Sequence, residues 1–294
     1  MLGHTRQWAN RNIGGLFLAP SFIIIILICA FPLIYSIYMS FFSWELASPL
    51  PKRFIGVENY LNIFQDSRFW FSLLRSIYIV GIGAILQMVL GFSLGILLNR
   101  EFKGRNILTS FFLIPVVISP VVIAFMWKMI YSEQYGPLNY ILNVVFYLKS
   151  VPWLSNTSVA LLSIVIANSW EWFPLILLVT MGGLQNIPDD YIHAAQIDGA
   201  SGWQITRWII IPLLAPVLLT ITLIRVIEDF KLFDLIYVLT HGGPGMSTET
   251  LNYLTYLKGF KFFSFGYSSA LSILQMIVVI GIAAILVKKI LIKD

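Results

Sequence analysis

PDDYIHAAQIDGASGWQITRWIIIPLLAP, residues 188–216, is a polar helix–turn–helix pattern set between two long apolar runs. Pro188 suits the first turn of a helix, where its missing N–H leaves nothing unpaired. Asp189 and Asp190 follow it, where acidic side chains complement the positive end of the helix dipole. The helix runs through Tyr191, Ala194 and Ala195, and Gly199 can take the left-handed conformation that ends it. Ser201 with Gln204 forms a capping box that starts a second helix. Pro212 and Pro216 are expected to bend that helix as it enters the next apolar run. Ala194, Ala195 and Ala200 keep the first helix thin enough to sit in a groove. On physical grounds alone the segment is either an ordinary helical hairpin or a plug shaped for a partner.

The flanking runs set the class of the chain. Its 294 residues are 58% hydrophobic and 11% charged, with mean hydropathy +0.84. Soluble domains carry roughly 25% charged residues, so this is an integral membrane protein. A helical span needs roughly 20 mostly apolar residues. Six segments qualify, at about 16–42, 73–98, 107–131, 159–184, 210–237 and 269–290, leaving a cytoplasmic loop at 185–209. The expectation is an all-α fold of six transmembrane helices in one transmembrane domain over 1–294, since a lone helix satisfies its own backbone in lipid. The first run is too long for a signal-peptide core and lacks a small-x-small exit, so it reads as a retained span.

Even numbering puts both termini on one side. Arg6, Arg11, Arg100, Lys103, Arg105, Arg207, Lys288, Lys289 and Lys293 share that side; Lys52, Arg53, Arg68, Lys149, Lys258 and Lys261 share the other. The compact NREFKGR cluster at 99–105 makes the first side cytoplasmic. The formal charge of +5 therefore reflects cytoplasmic Lys and Arg rather than nucleic-acid binding. Outside lie three sizeable loops. One carries the amphipathic stretch FIGVENYLNIF (54–64), another the Gly136-Pro137 turn, and the third HGGPG (241–245). Lys128 and Arg75 fall near outer span ends, where long side chains snorkel.

The 188–216 segment resembles the "EAA" loop of permease subunits of binding-protein-dependent ABC importers. Ala194, Ala195, Gly199 and Pro212 match that pattern in spacing, and Asp198-Gly199-Ala200 matches its DGA form. His193 stands where the pattern has glutamate, and could hydrogen-bond with a pH-sensitive charge. FLAPSFIIIILICAFPLIYSIYMSFF (17–42), FIGVENY (54–60), LLNREFKGR (97–105), YGPLN (135–139) and FKLFDLIYVLTHGGPGMSTETL (230–251) all resemble the sugar-permease branch, near the maltose-type larger subunit without its extra N-terminal spans. The resemblance implies a type I importer in the bacterial or archaeal cytoplasmic membrane. It implies a second homologous permease, an ATPase dimer, an extracytoplasmic solute-binding protein and a carbohydrate substrate. It also implies that Tyr191, His193, Ala194, Ala195, Asp198, Gly199 and Ala200 dock in an ATPase groove. The chain has no GxxxxGK[ST] phosphate loop, so ATP would be bound by a separate subunit.

Ionisable groups at bilayer depth cost about 2.5–3.5 kcal/mol on insertion scales and face a cavity or a partner. In the fourth span Asn168, Glu171, Trp172 and Leu175 share one helix face, with Pro174 beside them and Trp170 and Phe173 flanking. A carboxylate and an amide among aromatics suit a sugar, whose hydroxyls want polar partners and whose C–H faces stack on rings. In the fifth span Arg225 and Asp229 lie four apart and can pair, with Glu228 and Lys231 alongside. The resemblance places Asn168, Glu171, Trp172, Leu175, Arg225, Asp229 and Leu232 at substrate-contacting positions. The alternative is structural: Arg225–Asp229 holding the bundle, and Glu171 bonding a neighbouring subunit. Asp234 resembles the family's FD motif.

No catalytic set appears, and His4, His193 and His241 are scattered, so neither an enzyme nor a metal site is expected. The lone Cys29 excludes an intrachain disulfide. Two rivals remain: an importer of glycerol-phosphate or a polyamine, and a stand-alone secondary transporter. The first is disfavoured for phosphate because Glu171, Glu228 and Asp229 outnumber Arg225 and Lys231; the second predicts inverted repeats that are not seen.

Overall fold

The computed structural model describes residues 13–291, with side chains for 18–288. Arg6, Arg11, His4 and Lys293 lie outside the described residues. Helix α1 covers 13–39, as Ile13–Ile25, a wide π turn Ile26–Ala30 and Phe31–Met39. A two-residue hairpin follows, β1 Phe42–Ser43 against β2 Arg53–Phe54. Then come α2 Glu58–Gln65, α3 Ser67–Asn99, α4 Arg105–Val117, α5 Pro120–Ile130, α6 Pro137–Val144 and α7 Ala160–Leu184. The remainder is α8 Asp189–Ile197, α9 Gly202–Phe230, α10 Asp234–Leu239, α11 at 251–261 and α12 Phe265–Leu291.

Five helices are long and apolar enough to cross a membrane: Leu18–Met39, Ser67–Asn99, Ala160–Leu184, Gly202–Phe230 and Phe265–Lys288. The expected third span, 107–131, is not one helix. It is the pair α4 and α5, bent by 104° at Ile118–Ser119, and counts as a sixth span if the pair is taken together. Pro120 causes the break: it has no N–H to donate and drives the preceding residue out of the helical region. Ser119 accordingly has ψ of 135°, and Ile118 before it is extended as well, with ψ of 142°. The fifth span also shifts. It begins at Gly202 and ends at Phe230, and the expected continuation to 237 is the separate helix α10.

Prolines inside the other spans are absorbed differently. Pro32 and Pro212 each follow a five-residue π turn, Ile26–Ala30 and Thr206–Ile210. A proline ring collides with the carbonyl four residues earlier; opening that turn to an i→i−5 pattern relieves the clash without stopping the helix. Pro212 therefore widens α9, and Pro216 sits within its α-helical part.

The chain divides into two compact units. One takes in the described residues through Asp66 together with Thr255–Leu274. Within it Asn59, on the buried face of α2, donates to the carbonyls of Ser40 and Phe42 at 2.8 and 3.0 Å. The Leu46 N–H donates to Phe263 O, and the Phe265 N–H to Trp44 O, both at 2.9 Å. The amphipathic stretch expected near 54–64 is thus pinned by its polar residue as well as by Ile63.

The other unit is Ser67–Leu254 with Gln275 onward. Its centre is the packing of α3 on α7. Gly83, Gln87, Gly91 and Gly95 are buried and recur every four residues on α3, forming a groove for α7. A Cβ on Gly91 would lie 2.6 Å from the Ile176 Cβ, and one on Gly95 2.7 Å from the Thr180 Cβ. Small residues at this spacing let two helix backbones approach closely in lipid, where dispersion rather than water expulsion drives association. At one end of α3, Arg68 grips the buried Glu249 with two hydrogen bonds of 2.8 and 2.7 Å. Ser76 accepts from the Leu251 N–H, so the 240–250 loop is clasped to the same helix. Lys128 does more than snorkel: its ammonium donates to the Val238 carbonyl at 2.9 Å, satisfying the C-terminal turn of α10.

Candidate functional site

Three helices bring polar side chains into the apolar core of the second unit. Arg225 of α9 pairs with Asp229 one turn later. Its Nε donates to Gln87 Oε1 of α3 at 3.0 Å, and Gln87 Nε2 donates to Asp229 Oδ2 at 3.1 Å. Asn168 Nδ2 of α7 donates to Asp229 Oδ1 at 3.0 Å. The guanidinium also lies over the Trp172 ring, 4.2 Å from its centroid. All four polar residues are buried. Arg225 and Asp229 therefore form the ion pair that the i,i+4 spacing allowed, tied to α3 by a glutamine that sequence reasoning passed over. Its signal was available: one amide in an apolar span, four residues from glycine on either side.

Beside this network is a cavity of about 160 Å³. It is lined by Asn168, Glu171 and Trp172 of α7, by Arg225, Glu228 and Asp229 of α9, by Lys231 to Leu235 beyond it, and by Pro120. Six of the seven expected contact residues converge here; Leu175, one turn along α7, does not line it. Trp172 is the aromatic of the α7 set that does. Trp170 instead packs edge-on against Trp127, and Phe173 is buried against Phe112. Glu171 is 2% exposed, and among the described residues its carboxylate makes no hydrogen bond or ion pair. The Asn168 Oδ1 is also buried and unpartnered. Lys231 is neutralised by Glu228 at 2.6 Å. Among the described residues no cluster of His, Cys, Asp or Glu is arranged to hold a metal ion.

The polar hairpin is built as its sequence pattern requires. Pro188 is the cap just before the first turn, and Asp189 and Asp190 occupy that turn. Gly199 has φ +80°. The Ala200 N–H reaches the Ala195 carbonyl at 2.9 Å and the Gly199 N–H the Gln196 carbonyl at 3.1 Å, the paired bonds of a Schellman ending. The Ser201–Gln204 capping box is complete. Ala195 and Ala200 turn inward, against a cluster containing Leu184, Ile187, Ile205 and Leu214. Tyr191, His193, Ala194, Asp198 and Gly199 remain exposed, joined by Ile197 at 87% and Trp203.

Residues 87–294 match the family described as "Binding-protein-dependent transport system inner membrane component". The chain belongs to this family. It is 37% identical over 272 residues to a probable ABC transporter permease protein, y4oQ, of Sinorhizobium fredii, covering 92% of this chain and 87% of that one. It is 32% identical over 282 residues to the trehalose/maltose transport system permease protein MalF of Thermococcus litoralis, covering 96% and 95%. In fold it is similar to a chain from the crystal structure of a bacterial ABC transporter involved in import of the acidic polysaccharide alginate. The TM-score there is 0.83 at 20% identity, with 97% and 98% of the two chains covered. This inner-membrane component is thus a multi-pass ABC transporter permease and not an enzyme.

Proposed function

We propose that this permease carries a carbohydrate inward across the membrane as part of an ATP-driven importer. A second permease would complete the pathway, a pair of ATPase subunits would drive it, and an extracytoplasmic solute-binding protein would deliver the sugar. The observation that carries this reading is the cavity: a buried carboxylate and a buried amide oxygen, both unpartnered, beside a half-buried tryptophan. Such acceptors favour a molecule rich in hydroxyl donors, because leaving them unmatched costs roughly 1–3 kcal/mol each. The trehalose/maltose permease among the relatives supports the same substrate class.

Coupling follows from connectivity. Helix α8 is strung between the end of α7 at Leu184 and the start of α9 at Gly202, the two helices that carry half of the cavity-lining residues. The Schellman ending and the capping box leave little slack in that connection. From Leu184 to Glu171 is thirteen helical residues, roughly 20 Å at about 1.5 Å per residue, with Pro174 among them, so displacement of α8 would reach the site along one continuous helix. ATP-driven closure of the ATPase pair would move α8 and rock the bundle between its two openings.

Ile197 tests the docking surface, since it is the most exposed apolar residue of α8 and contributes nothing to the hairpin's own core. Ile197→Asp should abolish co-purification of the ATPase in detergent and reduce uptake at least tenfold, with normal membrane levels of the permease. Undiminished co-purification would count decisively against docking through α8.

A further inference from the structure

We propose that the cavity selects its sugar by charge, admitting uncharged or amine-bearing carbohydrates and rejecting those that carry carboxylate, phosphate or sulfonate groups. This rests on the carbohydrate reading and deepens it. Four acidic groups line the cavity, Glu171, Glu228, Asp229 and Asp234, against two basic ones, Arg225 and Lys231. Both bases are already committed. Lys231 is paired with Glu228, and Arg225 with Asp229. Arg225 also donates through Nε to Gln87, while the Trp172 ring covers one face of its guanidinium. Among the described residues, no ion pair reaches Glu171 or Asp234.

An acidic cluster alone would be indifferent to cargo. What makes this one a recognition surface is the unpartnered Asn168 Oδ1, 0% exposed, on the same cavity wall as the buried Glu171. Asn168 Oδ1 and the Glu171 carboxylate present acceptor oxygens, and the Asn168 amide N–H is already given to Asp229, so hydroxyl and ammonium groups are matched. A carboxylate or phosphate meets like charge in a low-dielectric wall where repulsion is weakly screened. Gln87 is the positioning residue in this scheme. By bridging Arg225 and Asp229 it keeps the cation turned to its own partner.

The test uses the full importer in nanodiscs, without its binding protein so that selection by that protein does not enter. Equilibrium dialysis measures binding of three radiolabelled disaccharide probes of equal size, built from glucose, glucosamine or glucuronate. The glucose and glucosamine probes should bind, and the glucuronate probe at least tenfold more weakly. Glu171→Gln should reduce that discrimination to threefold or less, with unchanged thermal stability of the complex. Equal or tighter binding of the glucuronate probe overturns the charge proposal while leaving the sugar reading intact. So does an undiminished penalty in Glu171→Gln. Failure of all three probes to bind an importer with intact ATPase activity overturns the carbohydrate reading and the charge proposal together.

Discussion

Arg225 shows what a buried charge requires. It is 2% exposed in a membrane-spanning helix, and its charge is met by Asp229, an amide and an aromatic face. Removing one member of such a pair leaves the other desolvated and alone, which costs about 3–5 kcal/mol. Asp229→Ala should therefore lower the thermal stability of the purified permease by that order. Gln87→Leu, which removes two neutral-to-charged hydrogen bonds but no charge, should cost about 1–3 kcal/mol. Detergent-phase thermal unfolding measures both, and a Gln87→Leu loss equal to that of Asp229→Ala would contradict the division. At this scale the sequence was legible where spacing on a single helix sufficed. Arg225 with Asp229, and the α7 face of Asn168, Glu171 and Trp172, needed only the 3.6-residue period. Gln87 was not legible as a member, because its partners lie more than 130 residues away and depend on which helix packs on which.

Among elements, α3 and α7 are packed backbone to backbone. Its four-residue repeat of Gly83, Gln87, Gly91 and Gly95 replaces side-chain interdigitation with backbone approach. Gly91→Leu has no room, since even a methyl would overlap Ile176 and the Phe173 carbonyl, 2.6 and 2.7 Å away. Overpacking costs typically 1–3 kcal/mol in a core that can adjust, and more against backbone. The expected outcome is loss of folded permease from the membrane, read by fluorescence size-exclusion chromatography of detergent extracts, while Gly81→Leu, with open space at its Cβ, is tolerated. The hairpin 188–204 was the element best read in advance, because each cap is a local interaction between residues a few positions apart. The third span was the worst read. Apolar composition marked 107–131 as a membrane segment, but Pro120 decides its path, and composition does not count a missing N–H.

For the whole molecule, that break carries the topology. Five continuous spans put the ends on opposite sides; counting α4 and α5 as one crossing puts them on the same side. Lys103 precedes the pair and Lys149 follows it. In a Cys29→Ser background, Lys149→Cys should react with a membrane-impermeant maleimide in right-side-out vesicles. Lys103→Cys should react only after permeabilisation. Labelling of both from the same side would mean the pair dips into the membrane and returns. The Lys and Arg distribution pointed to the first outcome, but it weighs loops and is blind to how the chain travels between them.

The glycine groove on α3 has a bearing on how such a permease can change its diet. The residues that α7 presses against that groove are Phe173, Ile176 and Thr180, whereas Glu171 is turned to the cavity; Asn168, beside Gly83, meets both. Glu171 thus lies on the side of α7 away from the joint, while Asn168 and Trp172 stand between the two. If Glu171 selects cargo as proposed, a substitution there would alter what is accepted without loosening the joint, so new cargoes would be open to a lineage one residue at a time, on a scaffold that does not have to be rebuilt.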